Sequence, residues 1–188
     1  VKKNRKRDTL PTVSDGFEFR MIFPYFTDYG DPLLDKDLSS YPEELFRQLS
    51  EVGVNGIWLH SVLRMMVQPD SVFPGDRLAD KRIAGLKRLV SRAAKYGVKV
   101  YLYLNEPRAM DTSYFNGDTA RMALAGPEVG GLRPFCTSQP EVRAWISNSL
   151  EQLFSQVKGL GGVFTITASE NFTYCGSRGA AHQHCPLC

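Results

Sequence analysis

Three times in this chain a helix-period segment ends on a glycine and an apolar run resumes within a few residues. Gly53 precedes Val54-Asn-Gly-Ile-Trp-Leu-His60. Gly97 precedes Val98-Lys-Val-Tyr-Leu-Tyr-Leu104, and Gly159 precedes Val163-Phe-Thr-Ile-Thr-Ala168. Phe17 to Phe23 supplies an earlier strand, so the chain reads β-α-β-α-β-α-β. Short links between alternating elements demand right-handed crossovers and therefore a parallel sheet. The last run, β-branched and free of charge, reads as a strand buried on both faces.

Two parallel architectures compete. A doubly wound sheet calls for a glycine-rich phosphate loop after its first strand, and Pro24-Tyr-Phe-Thr-Asp-Tyr29 contains none. Polar and aromatic residues follow each strand instead, which suits the rim of a TIM-type (β/α) barrel. A full eightfold barrel takes about 250 residues. Four strand–helix units in 188 residues are half of that. The expectation is an N-terminal half-barrel over residues 16–188, preceded by a basic tail or linker over 1–15. Its four strands should lie in the order 1-2-3-4 with all three helices on one face.

The helices carry their own signals. Ser40-Tyr-Pro-Glu43 and Ser138-Gln-Pro-Glu141 both match a capping box with proline in the first turn. Leu45, Phe46, Leu49 and Val52 form the first apolar stripe, and Ile83, Leu86, Leu89, Val90 and Ala94 the second. The third takes Trp145, Ile146, Leu150, Leu153, Phe154 and Val157. Arg108 to Arg133 keeps no period and is long for a connection, so it reads as a functional loop.

A chain that is 43% hydrophobic can bury a sizeable core, and no apolar run nears the roughly 18 residues of a membrane span. The net charge of +3 comes from the first seven residues, Val1 to Arg7, which hold five cations. The remainder is nearly neutral, so neither nucleic acid nor a membrane is an expected partner.

Chemistry is expected where strands end. Glu170 closes the fourth strand, where loss of hydration raises a carboxyl's pKa and fits it to protonate a leaving-group oxygen. Glu106 ends the neighbouring strand, and two carboxyls on adjacent strands can approach the 5–9.5 Å separations of glycosidases. Each also has an ordinary structural reading, as a helix cap or a loop ion pair. Arg20, His60, Asn105 and Asn171 are the substrate-binding candidates. Arg20, His60, Glu106 and Glu170 are expected to converge at the C-terminal mouth of the sheet. Rings among Tyr25, Phe26, Tyr29, Trp58, Tyr101 and Tyr103 could stack on a sugar.

Cys175, Cys185 and Cys188 crowd the C-terminus, with His182 and His184 among them, while Cys136 stands alone. Three thiols and one imidazole suit a structural Zn²⁺, with Cys175, His184, Cys185 and Cys188 as the candidate set. Free thiols and disulfides are the alternatives. Zinc-binding cysteines would favour the cytoplasm over an oxidising compartment.

Several of these segments resemble family 20 glycoside hydrolases, the β-N-acetylhexosaminidases. Asn55-x4-His60 is similar to their second-strand motif, and Lys95-Tyr-Gly-Val-Lys-Val100 through Asn105-Glu-Pro107 to their third-strand segment. Gly161-Gly-Val163 to Glu170 stands where they carry an Asp-Glu pair. The resemblance implies a glycosidase barrel acting on a carbohydrate, with Glu170 as general acid and without a catalytic cofactor. Ser169 occupies the position of the Asp that orients an acetamido group in that family, and Arg108 follows Pro107 where it has Gly. Asn105-Glu106-Pro107 also resembles the acid/base signature of another glycosidase clan. The remaining half of the barrel would then be the chain's structural partner. A non-catalytic carbohydrate-binding relative and a zinc-stabilised interaction module are the alternative readings.

Overall fold

The computed structural model describes residues 17–23, 30–166, 171–179 and 181–188, and the side chains of 181 and 182 are not among them. The basic segment 1–15, Tyr25, Phe26, Tyr29, Ser169 and Glu170 lie outside the described residues.

The chain is a mixed α/β protein organised on one four-stranded sheet. Its strands are β1 (Met21–Ile22), β2 (Gly56–Ser61), β3 (Lys99–Leu104) and a fourth, Gly162–Thr165. They are all parallel, with Met21 opposite Gly56, Gly56 opposite Lys99 and Tyr101 opposite Gly162. Three long helices provide the crossovers: α1 (Glu43–Glu51), α2 (Ala79–Ala94) and a third, Pro140–Gln156. The three helix-ending glycines, Gly53, Gly97 and Gly159, have φ of 78°, 70° and 86°. That left-handed conformation is open to glycine and strained for other residues, which is why the same residue precedes each strand.

Alternation gives the sheet two unlike faces. Ile57, Leu59, Val100, Leu102 and Leu104 share one core with Phe46 of α1, Leu86 and Leu89 of α2, and Leu153 and Val157. All three long helices therefore cover this one face. On the other face Tyr103 and Phe164 stack at 5.2 Å, Trp58 meets both edge-on at 5.3–5.5 Å, and Phe23 stacks on Trp58 at 4.1 Å. Tyr101 lies over the backbone of Gly56 and the Gly161-Gly162 pair. A Cβ on Gly161 would meet its ring at 2.7 Å. The double glycine is thus a seat for an aromatic ring as well as a strand start.

The first strand is shorter than Phe17–Phe23 suggests, with only two paired residues. The fourth is not buried on both faces: its residues are half-buried or exposed, and Ile166 beyond it is 48% exposed. It is the edge of this sheet, with a pairing partner on one side only. Neither predicted capping box forms. Pro42, not Ser40, takes the N-cap position of α1, and Gln139, not Ser138, that of the third long helix, and neither makes a side-chain cap bond. Glu43 does not reach back to its own helix but bonds Lys95 and Tyr96 at the end of α2. In the third long helix the buried stripe runs through Val142, Ser149 and Leu153, leaving Phe154 exposed at 37%.

The aperiodic segment 108–135 is folded. Strands β4 (Met110–Asp111) and β5 (Leu132–Arg133) pair antiparallel, and the short helix α3 (Thr119–Leu124) lies between them. In chain order the third long helix is therefore α4 and the fourth sheet strand β6. Phe115, Ala125, Phe135 and Val142 make a second small core, with Tyr114 and Ile146 against it. The Arg121 guanidinium sits 4.3 Å from the centroid of the Tyr114 ring and donates to the carbonyls of Tyr114 and Ser71. Among the described residues no helix is long and apolar enough to cross a membrane.

Helix α2 is locked to the loop before α1 by backbone contact. A Cβ on Gly85 would lie 1.9 Å from the Leu33 carbonyl oxygen. Close by, Arg82, only 5% exposed, bonds Asp31 at 2.5 Å, Asp76 at 3.1 Å and the Met65 carbonyl at 3.1 Å. Alanine ordinarily stabilises a helix by up to about 1 kcal/mol over glycine. Gly85→Ala is expected to reverse that sign and lower stability by about 1–3 kcal/mol through overpacking, read as a fall in the urea midpoint.

Candidate functional site at the carboxyl ends of the strands

The register fixes one rim. Ser61 and Leu104 pair at the carboxyl ends of β2 and β3, and Leu104 pairs with Thr165 of β6. The chain leaves each strand here into a polar turn. Asn105 and Glu106 follow β3, a cis peptide bond joins Glu106 to Pro107, and the 3-10 turn Leu63–Met65 follows β2.

Glu106 is the central carboxyl of this rim. Its Oε1 accepts the Leu63 N–H at 2.6 Å and its Oε2 the Arg108 N–H at 3.0 Å. One side chain thereby ties the turn after β2 to the turn after β3. Burial pushes its carboxyl above the ordinary glutamate range, although the two amides, Arg108 and Arg64 pull the other way. The residue as a whole keeps some exposure; its carboxyl group is the desolvated part. Burial also lowers the Arg64 pKa, opposed by Glu106. Arg64 Nη1 and Arg108 Nε are buried donors with no hydrogen-bond partner among the described residues.

His60 stands at the end of β2 with its Nε2 2.8 Å from Arg108 Nη2. A guanidinium can only donate, so Nε2 accepts and the imidazole proton is assigned to Nδ1. Its ring lies 5.2 Å from that of Tyr103 on the aromatic face. His60, Ser61, Arg108, Asp31 and Arg82 line a cleft of about 270 Å³. A larger cleft of about 500 Å³ lies between α2, α4 and the loop carrying Phe73, whose ring stacks on Trp145, and shares Met66 with the smaller one. Glu106 lines neither cleft; the rim is the better candidate because the smaller cleft opens at the strand ends beside His60 and Arg108, the latter tied to Glu106 through its N–H.

The other predicted site residues divide. Arg20 is not at the rim: its N–H donates to Asn55 Oδ1 at 2.8 Å, and its carbonyl accepts from Asn55 and Gly56. That is the opposite end of the sheet, about five residues or roughly 17 Å below Ser61 along the strand. Asn55 itself clips the start of β1, its Nδ2 also donating to the Glu18 carbonyl. Asn105 is 1% exposed, buried beneath the rim and closed to a substrate in this conformation. Asn171 is half-buried beside Phe172, whose carbonyl accepts the Ala109 N–H at 2.9 Å. This bond sets the segment after β6 against the loop that follows Glu106. Sequence reasoning missed Arg64. The available signal was a lone cation inside Val62-Leu-Arg-Met-Met66, directly after a strand end.

A second group of chemical side chains gathers near the C-terminus. Cys136, Cys175, Cys185 and Cys188 bring their sulfurs within 4.8 Å of one another, compatible with a structural metal site. Separations of 3.5 Å for Cys136–Cys188 and Cys175–Cys185, and 3.7 Å for Cys136–Cys185, are far beyond a disulfide bond. The fourth member is Cys136, not His184, which is exposed and outside the group. Cys136 is remote in sequence, but its N–H bonds the Leu124 carbonyl at the end of α3, which holds it beside the C-terminal segment. Burial raises the Cys136 and Cys175 thiols above their ordinary range.

No family model matches the chain, and no curated protein matches it.

The raised Glu106 pKa has a definite sign in stability. The unfolded chain releases this proton in the ordinary glutamate range and the folded chain at higher pH. The contribution of Glu106 is therefore fully present below that range and lost as pH rises through the folded value. Glu106→Gln sets an amide NH₂ against a backbone N–H and should cost about 1–3 kcal/mol at low pH. The gap between wild type and variant should then narrow from pH 4 to 7 in urea unfolding. A widening gap would mean that the two amides outweigh burial.

Proposed function

We propose that this chain is the N-terminal half of a (β/α)₈-barrel glycoside hydrolase that cleaves O-glycosidic bonds. The observation that carries the reading is the position of Glu106. It is a desolvated carboxyl at the carboxyl end of a central parallel strand, where barrel enzymes place their chemistry. The uneven sheet supports it too. Helices cover one face, and the face that would line a barrel holds Trp58, Tyr103 and Phe164. Edge strands β1 and β6 would be paired by the rest of the barrel, the partner this reading requires.

In this reading Glu170, at the end of the β6 run, is the general acid that protonates the glycosidic oxygen. Glu106, in the turn after β3, is the second carboxyl. Arg108 and His60, which line the cleft at the strand ends, offer the polar contacts to sugar hydroxyls, and an apolar ring of the inner face takes the sugar's CH surface. The resemblance of the strand segments to family 20 hydrolases supports the same class. Ser169 argues for a glycosidase other than an acetamido-assisted one. A structural zinc belongs to this picture: four thiolates fill a tetrahedral shell and leave no position for water or substrate.

One observation favours a second reading, a carbohydrate-binding barrel relative without catalysis. Both oxygens of Glu106 already accept backbone amides, as in a carboxylate that holds loops. Aryl-glycoside hydrolysis by the complete parent protein separates the two. The hydrolase reading expects Glu170→Gln to lower kcat by about 10²–10⁴-fold, with oligosaccharide binding retained. Sugar binding without hydrolysis in the wild type selects the second reading, and neither binding nor hydrolysis rejects both.

A further inference from the structure

We propose that Cys136, Cys175, Cys185 and Cys188 bind one Zn²⁺ in a closed four-thiolate shell, and that this ion clasps the segment after β6 onto the loop that follows Glu106. The inference does not depend on what the rim binds.

Distance comes first. A tetrahedral zinc with bonds near 2.3 Å sets its sulfurs about 3.8 Å apart. Three of the sulfur pairs lie at 3.5, 3.5 and 3.7 Å, and all four sulfurs fall within 4.8 Å of one another. Sulfurs this close converge on a single ion and are too crowded to wrap a multi-iron cluster. Four thiols give up four protons to hold the ion, so the shell carries two net negative charges. The backbone supplies donors against that charge: the Ser138 N–H bonds Cys136, and the Leu187 N–H bonds Cys185. Such outer hydrogen bonds orient and tune metal ligands.

The surroundings are shaped to this point. Cys136 and Cys175 are 0% and 1% exposed, and among the described residues Leu187 is the partly buried apolar side chain packed against the cluster. Gly126 presses on it from behind, where a Cβ would sit 2.6 Å from the Cys175 sulfur. Three ligands come from the last fourteen residues and the fourth from the link between β5 and α4, at least 39 positions away in sequence. The ion would therefore tie the C-terminal segment to the link before α4, across the packed α4 and β6 that lie between them in sequence. Cys175 is three residues from Phe172, whose carbonyl bonds Ala109, and Ala109 is three residues from Glu106. Metal binding thus reaches the rim through one short, hydrogen-bonded path.

The test uses the 188-residue chain with Zn²⁺ as the probe. Metal analysis should find about one zinc per chain, and zinc should shield all four thiols from a thiol reagent that otherwise modifies all four. Cys136→Ser should lower zinc affinity at least tenfold, and His184→Ala should leave it unchanged. Hydrogen exchange covers the case in which Cys136→Ser fails to fold. In the wild type, chelation should release the Ala109 amide while amides inside β2 and β3 stay protected. The site is overturned by iron in place of zinc, by no bound metal, by fewer than four shielded thiols, or by loss of zinc in His184→Ala. An Ala109 amide indifferent to chelation overturns the clasp.

Discussion

The parallel pairing of β2 with β3, six residues in continuous register from Gly56–Lys99 to Ser61–Leu104, is what the rest of the structure depends on. It forces the strands to end together, so that two turns leave at one level and a single carboxyl can bridge them. It also sorts side chains by parity. Leu59 and Leu102 go to the helices, while Trp58 and Tyr103 go to the other face. A slip of one residue would exchange these sets and expose the aliphatic core.

Burial explains most of what holds this frame, and polar bonds explain its placement. Phe46, Leu86, Leu89, Leu102 and Leu153 are each 0–1% exposed, and a fully buried side chain of this kind contributes about 1.5–3 kcal/mol. The polar ties are fewer and local. Arg82 joins the loop before α1 to the turn after β2 through Asp31, Asp76 and Met65. Glu106 joins the turns after β2 and β3. Both are buried charges at strand or helix ends, where removing one partner leaves the other unpaired.

The order of the elements was legible because each helix had to end in a left-handed turn, and glycine marks that requirement in the sequence. Local capping was less legible. Glu43 satisfies the spacing of a capping box, but Lys95 and Tyr96 lie fifty residues away and take its carboxylate instead. Residues 108–135 lack periodicity because short strands and a two-turn helix wrap a few aromatic rings, and so small a core imposes no repeat. Among site residues, Glu106 and His60 were visible as polar ends of apolar strands. Arg20 misled because it stands inside the apolar run Phe17–Phe23, whereas the paired strand is only Met21–Ile22 and Arg20 falls at its start, beside Asn55. Cys136 looked solitary because what joins it to the other thiols is the fold of the 108–135 segment, which no spacing rule encodes.

The central claim is that this chain places its function at the carboxyl ends of its parallel strands. A crystal structure of the protein soaked with a sugar product tests it most directly. The account predicts the sugar at that rim, within hydrogen-bond distance of His60, Arg108 or Glu170 and stacked on a ring of the aromatic face. A sugar bound in the cleft between α2 and α4, or at the opposite end of the sheet near Arg20, would contradict it.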